Sequence, residues 1–148
     1  MTVEVKTVEV KTVDIKTVDI QREHGPDLDL DEVLEVYRSS GLGERRPTAD
    51  TGRMAAMVRN ANLILTCRID GELIGIARSI SDFAYVTYLS DIAVSGAHQR
   101  SGIGRALIDA TKKEAPAAKI VLLSAPAAHD YYPHIGFTQH NSAWVLAP

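Results

Sequence analysis

Cysteine is nearly missing from this 148-residue chain. Cys67 stands alone, which excludes an intramolecular disulfide and a cysteine-rich metal site. Long apolar runs are missing too, and none approaches the roughly 20 residues needed to span a bilayer, so no membrane association is expected. Basic charge is not in excess. Lys and Arg number 16 against 19 Asp and Glu, for a net charge of −3, and nucleic acid is not expected as a partner. The histidines have no two-ligand spacing on one helix beyond His129 and His134, five apart, and no metal is expected. Charges recur every few residues at the N-terminus, unlike a signal peptide, so the expected compartment is the cytoplasm. What is present, 45% hydrophobic and 24% charged residues, is the composition of an ordinary globular domain with a real core.

The chain opens TVEVKTVEVKTVDIKTVDIQ, a five-residue unit written four times. Val, Ile and Thr favour the strand, but five is odd while strand side chains alternate with period two. Val3 and Val5 would share one face of a continuous strand, and Val8 and Val10 the other. One buried face cannot use every copy alike. The last copy, Thr17 to Ile20, is expected to be the first native strand, and residues 1–16 a repetitive extension of a single domain spanning 17–148. The extension reads as an extra strand, a tail or a sticky edge. As a self-association arm it would make a homodimer; as a duplicated tail, the plainer reading, it would do little.

Further along, Asp27, Asp29 and Asp31 introduce Leu30, Val33, Leu34 and Tyr37 at helical spacing, and this helix should end near SSGLG. Met54, Met57, Val58 and Ala61 mark a second helix. LILTCRID and ELIGIARSI flank Asp70-Gly71, a hairpin signal, and AYVTYLSDIAV extends them into an antiparallel meander. Ile103, Ala106, Leu107 and Ala110 form a third helical stripe, followed by KIVLL, a run expected of a strand buried on both faces. Pro126 should open a last helix running to about Tyr132, with GF and SAWVL as closing strands. The fold class is α/β, a mixed sheet with helices on both faces. Arg78 and Asp82 are expected to pair.

Between AYVTYLSDIAV and the third helix lies GAHQRSGIGRAL. Backbone N–H groups at a helix start have no internal partner, and the helix dipole is positive there. Gly102 and Gly104 let a ligand approach that backbone without Cβ atoms in the way, and Arg100 and Arg105 add full charges. In chemical terms this is a pyrophosphate cradle. The dinucleotide pattern is excluded because Leu107 stands where its third glycine belongs, and the Walker pattern because Arg105 follows Gly104.

LSDIAV before the loop, QRSGIGRAL within it and YYPHIGF after it resemble the GNAT superfamily of N-acetyltransferases. Gln99, Gly102 and Gly104 match its Q/R-x-x-G-x-G/A loop, and Tyr131, Tyr132, Gly136 and Phe137 match its aromatic-Tyr-x-x-x-Gly-Phe tail. The resemblance implies a sheet that splays open, with acetyl-CoA as cosubstrate in the gap. Ile92, Ala93 and Val94 would pair with the pantetheine arm, and the Val94 N–H would serve the developing oxyanion. The amides of Arg100, Ser101, Gly102, Ile103, Gly104 and Arg105 would hold the pyrophosphate. Tyr132 falls where the superfamily places the acid for the departing thiolate. From ordinary pKa values that transfer is uphill by about 1.5 units, roughly 2 kcal/mol.

For the base, Asp91, Tyr88, Ser90, His129 and His134 are candidates. Asp91 is the first choice, and a structural hydrogen bond is its alternative role. Arg45 and Arg46, in the loop bordering the acceptor cleft of many relatives, would suit an acceptor with a carboxylate or phosphate. Ala125 departs from the family pattern, where many relatives carry Asn. The implied activity is transfer of acetyl to an amine of a small molecule or protein; a non-catalytic acetyl-CoA-binding regulator is the alternative.

Overall fold

The computed structural model describes residues 2–4 and 17–148; the middle copies of the repeat lie outside them. Thr17–Arg22 forms strand β2, as expected of the last copy, with Val18 and Ile20 buried. The first copy supplies a three-residue strand, β1 (Thr2–Glu4), antiparallel to β2 at the sheet's edge.

Two helices follow, each begun by an aspartate. Asp29 accepts from the Asp31 N–H at the start of α1 (Leu30–Ser40), and Asp50 accepts from the Arg53 N–H at the start of α2 (Thr51–Asn60). Gly41, at φ 90°, ends α1 in the left-handed region that favours glycine. Strands β3 (Leu63–Ile69), β4 (Glu72–Ser81) and β5 (Val86–Val94) form the expected meander. Asp70 and Gly71 both take positive φ, as a tight primed hairpin turn demands. Helix α3 (Ile103–Glu114) then crosses over to β6 (Lys119–Val121), parallel to β5. The sheet order is β1-β2-β3-β4-β5-β6.

The core is two-sided. Val33, Leu34, Val36 and Tyr37 of α1 and Met54 and Val58 of α2 pack on one face with Ile64, Ile76 and Ala93. Ile103, Leu107, Ile108 and Ala110 of α3 pack on the other with Ile20, Leu65, Cys67 and Leu89. Burying each large aliphatic side chain stabilises by roughly 1.5–3 kcal/mol. Helix α3 lies close against β4 at Gly75, where an added Cβ would stand 3.2 Å from Ile103 and Leu107 side-chain carbons. That contact sets where the start of α3 sits.

One feature of the sheet matters most for a site. Pairing between β5 and β6 covers only Val86–Tyr88 and Lys119–Val121. From Leu89 to Val94, β5 keeps β4 on one side and has no strand on the other among the described residues. The gap therefore runs alongside the LSDIAV segment.

Four expectations need correcting. Arg78 pairs with Asp91, whereas the Asp82 carboxylate accepts from the N–H groups of Ala84, Tyr85 and Val86 and closes its own turn. The last helix is two short 3-10 turns, Pro126–Ala128 and Tyr132–Ile135. Neither GF nor SAWVL forms a strand: Gly136 is left-handed at φ 96°, and Trp144, Val145 and Leu146 are exposed. A strand needs a neighbour, and three-residue β6 offers little ladder for another. Without one, β6 is an edge, with Val121 exposed rather than buried on both faces.

Candidate functional site

A cleft of about 1080 Å³ opens along the gap, between β5 and the start of α3 on one side and the 3-10 turns before Gly136 on the other. Gln99, Arg100, Gly102, Ile103, Gly104 and Arg105 line it, as do Ile92, Ala93, Val94 and Tyr132. Ser101 does not; its hydroxyl donates to the His98 carbonyl within the loop.

The loop reaches the helix through left-handed backbone at Arg100 (φ 62°) and Gly102 (φ 85°). Gly102 caps α3 without a side chain, so the first N–H groups of this 12-residue helix have no side-chain partner among the described residues. A Cβ built at Gly104 meets nothing within 4 Å. Bare amides, a positive helix end, open space at Gly104 and the guanidiniums of Arg100 and Arg105 fit a polyphosphate. The Gln99 amide donates to the Val94 and Ser40 carbonyls, at 3.0 and 3.2 Å, and the Ser39 hydroxyl accepts from the Gly96 N–H at 2.8 Å. These bonds tie the loop to the end of α1. Gln99 thus positions the loop.

The free edge of β5 has a definite phase. The Ser95 N–H donates to Ile74 O at 2.8 Å, next to the Gly75–Val94 register pair. Hydrogen-bonded and non-hydrogen-bonded pairs alternate in an antiparallel ladder. Val94 and Ile92 therefore turn their N–H and C=O groups away from β4 and into the gap, while Ala93 faces Ile76. An extended, amide-bearing ligand would find a strand-like edge there.

Tyr132 is half-buried, edge-on to Tyr131 and Phe137 with ring centroids 5.4 Å away in each case. Burial pushes its hydroxyl above the usual tyrosine value, and neighbouring Tyr131 adds to this. The group stays protonated at neutral pH.

Asp91 occupies a different place. Its side chain is fully buried and does not line the cleft. Nε of Arg78, Nε of Arg46 and the Tyr37 hydroxyl each donate to it at 2.6 Å. Burial alone would raise its pKa, but the hydrogen bond and charge of Arg78, with Tyr37 and Arg46, outweigh that and hold the carboxyl below its ordinary value. A carboxylate so held is a poor proton acceptor. Of the other base candidates, Ser90 lines the cleft, while Tyr88, His129 and His134 do not.

Two features escaped sequence reasoning. The Arg46–Asp91–Arg78 cluster joins residues far apart in the chain, and no spacing signals it. His98 lines the cleft with its Nδ1 closed to solvent and without a hydrogen-bond partner among the described residues. It sits within the quoted loop, where the glycines drew attention instead. Among the described residues no cluster of His, Cys, Asp or Glu could hold a metal ion, and no helix is long and apolar enough to cross a membrane.

Residues 33–145 match the family described as an acetyltransferase (GNAT) domain. Solved structures share the fold. A GNAT-family acetyltransferase from Streptococcus pneumoniae is 17% identical, with 88% of this chain and 99% of that one covered at a TM-score of 0.69. A Trypanosoma brucei acetyltransferase is 21% identical over 88% and 99%, at 0.63. An aminoglycoside acetyltransferase from an uncultured soil metagenomic sample, in complex with sisomicin, is 17% identical over 88% and 95%, at 0.64.

Proposed function

The chain belongs to the GNAT acetyltransferase family, and from that premise we propose that it transfers the acetyl group of acetyl-CoA directly to an amine. The observation that carries the reading is the uncapped, glycine-opened start of α3 beside the free edge of β5. Acetyl-CoA supplies an activated thioester. Amides from Gly102 to Arg105, with Arg100 and Arg105, hold its pyrophosphate, and the turned-out groups of Ile92 and Val94 hold its pantetheine arm. The Val94 N–H stabilises charge developing on the carbonyl oxygen.

Tyr132 donates a proton to the leaving thiolate. Its raised pKa makes that donation more uphill than from an ordinary tyrosine, so it assists a leaving group that already departs fairly well. Asp91 acts by positioning Arg46 and takes no proton. Among the described residues no Asp or Glu lines the cleft, whereas Arg45, Arg46, Arg100 and Arg105 do. Their positive field favours the neutral amine over the ammonium, which lessens the need for a dedicated base.

The test combines calorimetry of acetyl-CoA binding with thiol release against pooled amines, amino acids and peptides, corrected for hydrolysis. Binding with amine-dependent release is the expected result. Binding with no release from any pool would identify a non-catalytic acetyl-CoA-binding regulator instead.

A further inference from the structure

The two ends of the cleft carry like charge for different reasons. Arg100 and Arg105 stand at the start of α3, where a polyphosphate already accounts for them. Arg45 and Arg46 come from the segment after α1, and Arg46 meets β5 at Ser90, the far side of the free edge from Val94. Four residues of strand separate these points, about 13 Å.

Arg46 is held with care. Its Nε donates to Asp91 at 2.6 Å, one terminal nitrogen to the Arg45 carbonyl and the other to the Ser90 carbonyl, both at 2.8 Å. A guanidinium has five N–H donors, so two remain without a protein partner among the described residues. Charge is also out of balance. Asp91, side chain fully buried, is shared by Arg78 at 7% exposure and Arg46 at 22%. Arg78 and Asp91 neutralise each other, and the excess positive charge falls on Arg46, the only one of the three that lines the cleft. A partly buried cation without its own counter-ion is costly, and a ligand anion relieves that cost. Arg45, exposed and with no side-chain hydrogen bond or ion pair among the described residues, lines the same end.

We infer that the acceptor is an amine that also bears a carboxylate or phosphate, which docks on the guanidiniums of Arg46 and Arg45. Arg78 and Asp91 are positioning residues that hold Arg46 in place. A polycationic amine would find repulsion from four arginines and, among the described residues, no carboxylate in the cleft. The inference rests on the acetyl-transfer reading only for the role of the bound amine; anion binding itself is independent of it.

The experiment measures kcat/KM for glutamate, O-phosphoethanolamine, ethanolamine and spermidine, together with calorimetric binding of each to the coenzyme-A-saturated protein. One or both anionic amines should exceed ethanolamine and spermidine by about tenfold to hundredfold, as charge-assisted hydrogen bonds would give. Which of the two leads identifies the anion. Arg46→Gln should bring the anionic-to-neutral ratio close to one; Arg45→Gln, at an exposed position, should lower it in a protein whose fold is not in question. Preference for spermidine or ethanolamine would leave acetyl transfer standing and overturn the anionic acceptor. So would a ratio that both variants leave unchanged, or no binding of either anionic amine. Binding of an anionic amine that Arg46→Gln removes, without turnover of any amine, would support this site and overturn acetyl transfer.

Discussion

Arg46 Nε lies 2.6 Å from Oδ1 of Asp91, a bond that fastens the segment after α1 to β5 beside the gap. It joins residues 45 positions apart, and Arg78 completes the same carboxylate from the neighbouring strand.

Asp91→Asn keeps the shape of that junction but leaves two guanidiniums uncompensated, and should destabilise the protein by about 3–5 kcal/mol at pH 7. The folded carboxyl is held below its unfolded value of ~3.9. The wild-type advantage is therefore complete above about pH 4 and is lost as pH falls through the lower folded pKa. Denaturant melts at pH 7 and at pH 2–3 check this. An advantage that persists undiminished at the lowest pH contradicts the assignment.

Gly104 should separate stability from binding. Nothing lies within 4 Å of a Cβ there, and the residue is helical, so Gly104→Ala should leave stability unchanged or raise it by up to about 1 kcal/mol. Gly104→Glu should place bulk and negative charge where phosphates bind and abolish coenzyme A affinity. Unchanged affinity in a folded Gly104→Glu protein would end the phosphate reading.

Tyr132→Phe keeps the ring against Tyr131 and Phe137 and removes the proton. Acid catalysis spans ~10²–10⁴ in rate, and the raised Tyr132 pKa points to the lower end, with acetyl-CoA affinity little changed. The loss should shrink with an acyl donor whose leaving thiol is more acidic. Equal rates for the two proteins at every pH would remove Tyr132 from the reaction.

A chain beginning at Thr17 should melt cooperatively and bind coenzyme A as the full chain does. β1 contributes three residues at the sheet's edge, where they pair with β2. Loss of a cooperative transition would show that an earlier copy is integral to the sheet.

The local signals read well because they are local. Asp29 starts a helix, Asp70-Gly71 turns a hairpin, and the spacing of Ile103, Leu107 and Ala110 aims one face of α3 at the sheet. The open start of α3 was legible for the same reason, since Gly102 and Gly104 bear on the helix that follows them. What was misread depends on partners elsewhere. Asp82 satisfies three amides of its own turn, which leaves Arg78 for Asp91 across the β4–β5 pair. SAWVL has strand-forming residues, but the edge of β6 offers a ladder of only three residues. Asp91 was legible as a carboxylate near the gap, but its two guanidiniums, which decide what it can do, were not.

Trp144 is the only tryptophan in the chain, and it is 94% exposed. Its fluorescence in the native protein is accordingly that of an indole in water, with emission already at long wavelength. Unfolding has little further red shift to produce, so a melt followed at that wavelength would look nearly flat, and circular dichroism is the better signal. The same indole becomes a reporter of contact. Emission that moves to the blue on adding coenzyme A, or on raising protein concentration, would mean that the C-terminal segment has found a surface to cover.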